Sequence, residues 1–404
     1  MSDLSEPSRV AVQDGPLAAR VDAVIDAALA ARRLVGGVVL IARNGEIVYR
    51  RALGFADRER GQPMREDTLF RLASISKPIV STAAMVLVSR QRLGLDDALV
   101  RHLPEFTPRA PDGLAAHITV RHLLTHTSGL GYRFLEADAD GPYARAGVSD
   151  GMDRANLTLT ENLRRIASVP LLFAPGTAWH YSLSIDVLGA LIERVTGLPL
   201  EEAVRELVTG PLGMQDTGFH TTDASRLATP YVNDVPQPHR LRDRERVSPF
   251  EGTVGIDFEP ARALERRAFA SGGAGMVGSA GDVLRLLDTL RDGGGALLPR
   301  EAVDEMGRNQ TGELGPPDKP GYGFGLGFAV LRDPLAAGSP ESPGTWRWGG
   351  AYGHSWFVDR SCGLSVVALT NTLYEGMSGA FVDALRDAVY GGAAARTVLE
   401  ASAL

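Results

Sequence analysis

Residues 74–93 read SISKPIVSTAAMVLVSRQRL, and this stretch decides the fold. Ile79, Val80, Ala83, Ala84, Met85, Val86, Leu87 and Val88 leave almost no polar face on a helix, and a helix apolar all round belongs at the centre of a molecule. Pro78 is tolerated in a first helical turn, so the helix is predicted to start just before it and to stop at Gly94. Ser74 and Lys77 then lie at the front of a buried helix, three residues apart on one face. A serine there is close to free backbone N–H groups and the positive end of the helix dipole. A lysine sequestered among apolar neighbours has a lowered pKa and can take or share a proton. On a solvated helix the same four residues would be a cap and a surface lysine, and the apolar surroundings argue against that.

Outward from this helix, residues 16–33 carry Leu17, Val21, Val24, Ile25, Ala28 and Leu29 at helical spacing, with Gly36 and Gly37 as the expected stop. Val38 to Ala42 and Ile47 to Tyr49 flank Asn44-Gly45, a hairpin signal because both turn residues need positive φ. Residues 95–300 read as mostly helical, with helices over 185–195, 201–207 and 282–290. Residues 221–270 lack periodicity, and a stretch that long is a functional wall or an excursion. β-rich runs return at 325–331, 345–348, 354–358 and 364–370, before a helix over 378–389. The expected class is α+β: an antiparallel sheet built from both termini, flanked by helices, with an inserted helical region. The expected division is a discontinuous sheet unit, 16–95 and 300–395, and a mostly helical unit, 96–299, with the active site at their junction.

Composition limits the partners. The chain has 404 residues, and 42 Lys+Arg against 49 Asp+Glu give a net charge of −7, which argues against nucleic acid. The one dense basic stretch, Arg240 to Arg246, is interleaved with Asp243 and Glu245 and reads as a solvated loop. One cysteine, Cys362, excludes an internal disulfide and a Cys-rich zinc site, and reads as a turn or core thiol. The opening MSDLSEPSRV lacks the basic head and apolar core of a leader, and no run reaches ~18 apolar residues, so no membrane span and a cytoplasmic setting are expected. His122 and His126 have helical i, i+4 spacing but no third ligand signal, so no metal and no cofactor are expected. Ser271 to Gly278 resembles a phosphate loop only loosely, since no Gly-Lys-Ser/Thr follows. Gly-x-Ser-x-Gly is absent, because Val277 breaks the frame around Ser279, which argues against an α/β-hydrolase.

Two further segments carry chemistry. Tyr181-Ser182-Leu183 stands just before a helix, where Tyr181 can point into a cleft; a phenol is a poor base at neutral pH unless a cation such as Lys77 supports it. Trp348-Gly349-Gly350-Ala351 places a glycine pair beside a strand, where a substrate can approach the backbone and one N–H can join that of Ser74 as an oxyanion hole. Tyr132, Phe134 and Trp179 are candidate pocket walls or core.

The order of these three segments resembles the serine β-lactamase and penicillin-binding-protein superfamily, with its Ser-x-x-Lys, Tyr-x-Asn and Lys-Thr-Gly-like elements. Leu123-Leu124-Thr125-His126-Thr127-Ser128-Gly129-Leu130, Pro211-Leu212-Gly213-Met214 and Gly321-Tyr322-Gly323 extend the resemblance over about residues 18–390. Within the superfamily the chain is most similar to the class C-type esterases, the family VIII carboxylesterases. The resemblance implies Ser74 as nucleophile, Lys77 and Tyr181 as its proton-handling pair, and Ala351 as the second oxyanion N–H. It implies a small-molecule ester as substrate. Two departures stand out: Leu183 replaces an Asn, and Trp348 replaces the Lys or His that holds a β-lactam carboxylate. Each exchanges a polar contact for an apolar one, and a lost charge-assisted bond costs about 1.5–3 kcal/mol. Neutral, apolar acyl groups are expected to suit the pocket formed by Trp348, Gly349, Gly350, Tyr132 and Leu183.

Overall fold

The computed structural model describes residues 15–391; the opening residues read for a leader and the end of the expected sheet unit, 392–395, lie outside them. In chain order the elements that position the site are α1 (Gly15–Ala30), β1 (Gly36–Arg43), β2 (Glu46–Asp57), β3 (Gln62–Pro63), β4 (Leu69–Arg71), α2 (Ser76–Ser89), α3 (Ser184–Thr196), β5 (Val277–Ser279), α4 (Ala280–Arg291), β6 (Tyr322–Phe324), β7 (Ala329–Leu331), β8 (Trp346–Gly350), β9 (His354–Asp359), β10 (Leu364–Thr370) and α5 (Ala380–Tyr390).

The main sheet has eight antiparallel strands in the order β6-β7-β8-β9-β10-β1-β2-β3. Asn44 (φ 51°) and Gly45 (φ 83°) make the β1–β2 hairpin turn that the sequence predicts. The chain ends meet where β1 pairs with β10, Gly37 opposite Thr370 through Arg43 opposite Leu364. Strand alternation sorts β1 between two cores. Val39 and Ile41 pack against α1 and α5 through Leu17, Val21, Ile25, Phe381 and Leu385. Val38, Leu40 and Ala42 face the larger core that contains α2. So the sheet lies between the terminal helices and the interior, as the α+β reading expects.

Helix α2 is buried from Ser76 through Leu87 and packs against α3. Its bounds differ from expectation. It ends at Ser89, with Gln91 at φ 56° turning the chain out, because the apolar run is over by Val88. Likewise α1 ends at Ala30, and Gly36 and Gly37 open β1 instead of stopping a helix. A Cβ on Gly36 would lie 2.3 Å from the Phe55 carbonyl oxygen, so the glycine serves close strand approach. The single strand expected over 325–331 is the turn and second arm of the β6–β7 hairpin, which reverses at Gly327 (φ 108°). The expected helix over 201–207 is Leu200–Val204 continued by a wider π turn, Arg205–Thr209.

Packing crosses the boundaries at 95 and 299. Helix α2 sits with α3, and α4, inside the expected helical unit, lies on β1 and β10 because its apolar stripe completes the core beneath them. The 221–270 stretch forms two small ribbons, Tyr231–Val232 with His239–Arg240 and Glu245–Val247 with Ile256–Phe258. Arg244 and Arg246 pair with Glu259 and Asp257 there. Cys362 is an exposed thiol in the β9–β10 turn.

Candidate active site

Strand β4 delivers the chain to the front of α2. Leu72 N–H donates to the Met276 carbonyl, and Ala73 follows with φ 46°. A left-handed alanine is strained by about 1 kcal/mol or more, and such strain gathers at functional positions. Ser74 then sits inside the 3₁₀ turn Ala73–Ile75, just ahead of the α-helix and not within its first turn. Gly350, at the end of β8, presses on this turn: a Cβ there would lie 2.4 Å from the Leu72 carbonyl oxygen. The glycine is needed for strand docking as much as for access. It brings Ala351, buried and outside any strand, up to the same turn.

Three expected residues converge. Tyr181 Oη donates to Ser74 Oγ at 2.6 Å. Lys77 Nζ donates to Ser74 Oγ at 3.3 Å and to the Gly273 carbonyl at 2.8 Å. The amine also lies 4.6 Å from the Tyr181 ring centre and 5.4 Å from that of Tyr132. Rings of His126, Tyr132, Trp348 and Trp179 surround Tyr181, with centroids 4.9, 5.1, 5.4 and 6.4 Å away. Trp348 is half-buried, and Trp179 edges the same group. Leu183 and Phe134 are buried in the large core.

Burial sets the electrostatics. Lys77 is 0% exposed. Burial pulls its pKa from 10.5 down to about 7, partly opposed by the charges of Asp186 and Asp150. The Tyr181 phenol moves the other way: burial pushes its pKa well above the ordinary value, with hydrogen bonding to Ser74 and Trp348 in opposition. At neutral pH the lysine is therefore the group able to accept a proton, and the tyrosine holds one.

Asp186, Ser271 and Gly273 were not singled out in the sequence. Asp186 is buried on α3, and its Oδ1 accepts a 2.6 Å bond from Ser271 Oγ. Its Oδ2 has no partner among the described residues. Burial raises its pKa. A carboxylate between Ile185 and Val187 was the available signal. The loop weighed as a phosphate cradle instead turns the Gly273 carbonyl toward Lys77. The two histidines have separate partners: His122 Nδ1 accepts from the Thr119 N–H, and His126, its ring against Tyr181, bonds Ser182 Oγ through Nδ1.

A hydroxyl held between a neutralisable amine and a phenol, at the end of β8, defines a serine hydrolase of the active-serine, acyl-transfer kind. Residues 21–390 match the family model described as Beta-lactamase, and the chain belongs to that family. It is 55% identical to Esterase EstB of Burkholderia gladioli, over 95% of this chain and 98% of that protein. It is 29% identical to Lovastatin esterase of Penicillium rubens, over 86% and 92%. The solved structure of EstCE1, described as a hydrolase with promiscuous acyltransferase activity, superposes with a TM-score of 0.90 at 48% identity, covering 94% of this chain and 99% of that one. The resemblance drawn from the motifs is borne out. Among the described residues no helix is long and apolar enough to cross a membrane.

Proposed function

We propose that the chain is a carboxylesterase that cleaves short-chain, neutral esters through an acyl-enzyme on Ser74. The observation that carries this reading is the contact of Ser74 Oγ with Tyr181 Oη at 2.6 Å and Lys77 Nζ at 3.3 Å. Neutral Lys77 takes the Ser74 proton as Oγ attacks the ester carbonyl. The N–H groups of Ser74 and Ala351 receive the oxyanion, each contributing about 2.7–4 kcal/mol. Supporting this, the Ala351 N–H makes no hydrogen bond to the described residues. Tyr181 gives its proton to the leaving alkoxide and regains one from the Lys77 ammonium. Water then attacks the acyl carbonyl and releases the acid.

Esters are favoured over β-lactams because Trp348 offers no charge to a carboxylate, and because the relative that is 55% identical is named an esterase. The same reading keeps the site at the junction of the sheet unit (16–95, 300–395) and the helical region (96–299), since Ser74 and Ala351 come from one and Tyr181 from the other. An exposed free thiol at Cys362 supports a reducing, cytoplasmic setting. Acyl transfer to an alcohol is a second reading, supported by the activity printed for EstCE1.

The test is hydrolysis of 4-nitrophenyl butyrate and of a chromogenic cephalosporin by the wild type and Ser74→Ala. Ester turnover that is lost in the variant, with cephalosporin opening slow in both, is the expected result. Undiminished turnover by Ser74→Ala contradicts the nucleophile, and faster cephalosporin opening contradicts the substrate class. Excess alcohol yielding transfer product identifies the second activity.

A further inference from the structure

A chain of buried hydroxyls runs up to the Tyr181 ring through His126. His126 Nδ1 is 3.0 Å from Ser182 Oγ, Ser182 Oγ is 2.8 Å from Ser184 Oγ, and Ser184 Oγ is 2.8 Å from Ser128 Oγ. All four residues are 0% exposed. At the far end, Ser128 Oγ accepts from the Leu130 N–H at 3.2 Å.

Proton counting fixes the direction of these bonds. Three hydroxyl protons serve three links. Were Nδ1 a donor, a fourth proton would compete for them, and one buried hydroxyl would be left without an acceptor among the described residues. So Ser128 donates to Ser184, Ser184 to Ser182, and Ser182 to His126 Nδ1. The neutral imidazole then carries its proton on Nε2, which has no hydrogen-bond partner among the described residues. A second proton is disfavoured, because burial and the charges of Lys77 and His180 lower the pKa of the ring.

Three rings pack on the imidazole: Tyr181 with centroids 4.9 Å apart, Phe324 at 5.4 Å and Trp179 at 6.0 Å. An aromatic face attracts an N–H and repels a bare nitrogen lone pair. The backbone adds to the hold. His126 takes φ 57°, a left-handed conformation that is strained for a residue other than glycine. Its carbonyl accepts from the His180 N–H at 3.0 Å, one residue before Tyr181. The Leu183 N–H ties the other side of Tyr181 to the Gly131 carbonyl at 3.1 Å.

We propose that His126, its tautomer set by Ser128, Ser184 and Ser182, is a positioning residue that holds the Tyr181 phenol on Ser74. It acts through Tyr181, and its share of the reaction is the proton that Tyr181 gives to the leaving alkoxide. This rests on the esterase reading and deepens it.

The leaving group separates this role from packing alone. Ethoxide needs the Tyr181 proton in order to leave, and 4-nitrophenolate does not. His126→Phe keeps a ring and removes the acceptor for Ser182. Its kcat/KM should fall about ten-fold further for ethyl butyrate than for 4-nitrophenyl butyrate, a part of the ~10²–10⁴ that a general acid contributes. Ser182→Ala should show the same bias to a smaller extent, and Ser182→Thr, which keeps the hydroxyl, should not. The two esters are compared within each preparation, so the folded fraction cancels. Nitrogen NMR of the wild type, with His126 assigned by the signals missing from His126→Phe, should show a proton on Nε2 and none on Nδ1. Equal losses on the two esters in His126→Phe overturn the positioning role. Equal losses in Ser182→Ala, or a proton on Nδ1, overturn the hydroxyl chain as its cause. Should His126→Phe not fold, Ser182→Ala and the wild-type spectrum decide. A wild type that cleaves neither ester fails the esterase reading instead, and the nitrogen signals still report the tautomer.

Discussion

Lys77 and Arg262 are both buried inside the protein, yet burial has opposite consequences for them. Desolvation penalises either charge. An amine answers by releasing its proton, and its pKa descends to about 7. A guanidinium cannot do so in practice, because its ordinary pKa exceeds 12, and it stays charged although burial lowers its pKa. One buried cation is thereby turned into a base beside Ser74, and the other into a fixed charge supported by Asp153 and Asp186. The difference lies in the side-chain chemistry and not in the degree of burial.

The largest expected effect comes from erasing that difference at the reaction centre. Lys77→Arg keeps the charge and forbids deprotonation, so kcat for 4-nitrophenyl butyrate should fall roughly 10³-fold or more at pH 7.5. A loss below ten-fold would remove Lys77 from proton transfer. Tyr181→Phe should follow, losing roughly 10²–10³ in kcat with little change in KM. A change confined to KM would make Tyr181 a wall.

The pH profile sharpens the contrast further. The folded pKa of Lys77 is depressed, so the base is active above about 7 and is lost as pH falls through it. For a neutral ester, log kcat/KM should drop by about one per pH unit below that value and level off above it. A flat profile from pH 5.5 to 8.5 would show that another group takes the proton. Trp348→Lys should act more modestly, raising acylation by an anionic cephalosporin roughly ten-fold; no gain would mean that Trp348 does not meet the carboxylate.

The two regions were unequally legible in the sequence. The SISK stretch announced itself because a serine and a lysine preceded an uninterrupted apolar run, and the hairpin at Asn44-Gly45 followed from turn chemistry alone. Tyr181 could be paired with them only through the order of segments, since 104 residues separate it from Lys77 in the chain, 181 − 77. Asp186 and Gly273 stayed hidden: their roles depend on which way a side chain and a carbonyl turn once α3 packs on α2. Arg262 looked like an ordinary polar residue in a stretch without periodicity, and nothing local says that Asp153 and Asp186 will act on its charge in the fold. Gly36 and Gly37 misled for a related reason, because a glycine that breaks a helix and one that admits a neighbouring strand look alike before the partner is known.

The central claim is that Ser74 carries the acyl group. Incubating the intact enzyme with a 4-nitrophenyl phosphonate, weighing it, and mapping its peptides tests this most directly. The account predicts one adduct per chain, located on Ser74, formed by the wild type and absent from Ser74→Ala. An adduct on any other residue, or an unmodified enzyme that still hydrolyses esters, would contradict it.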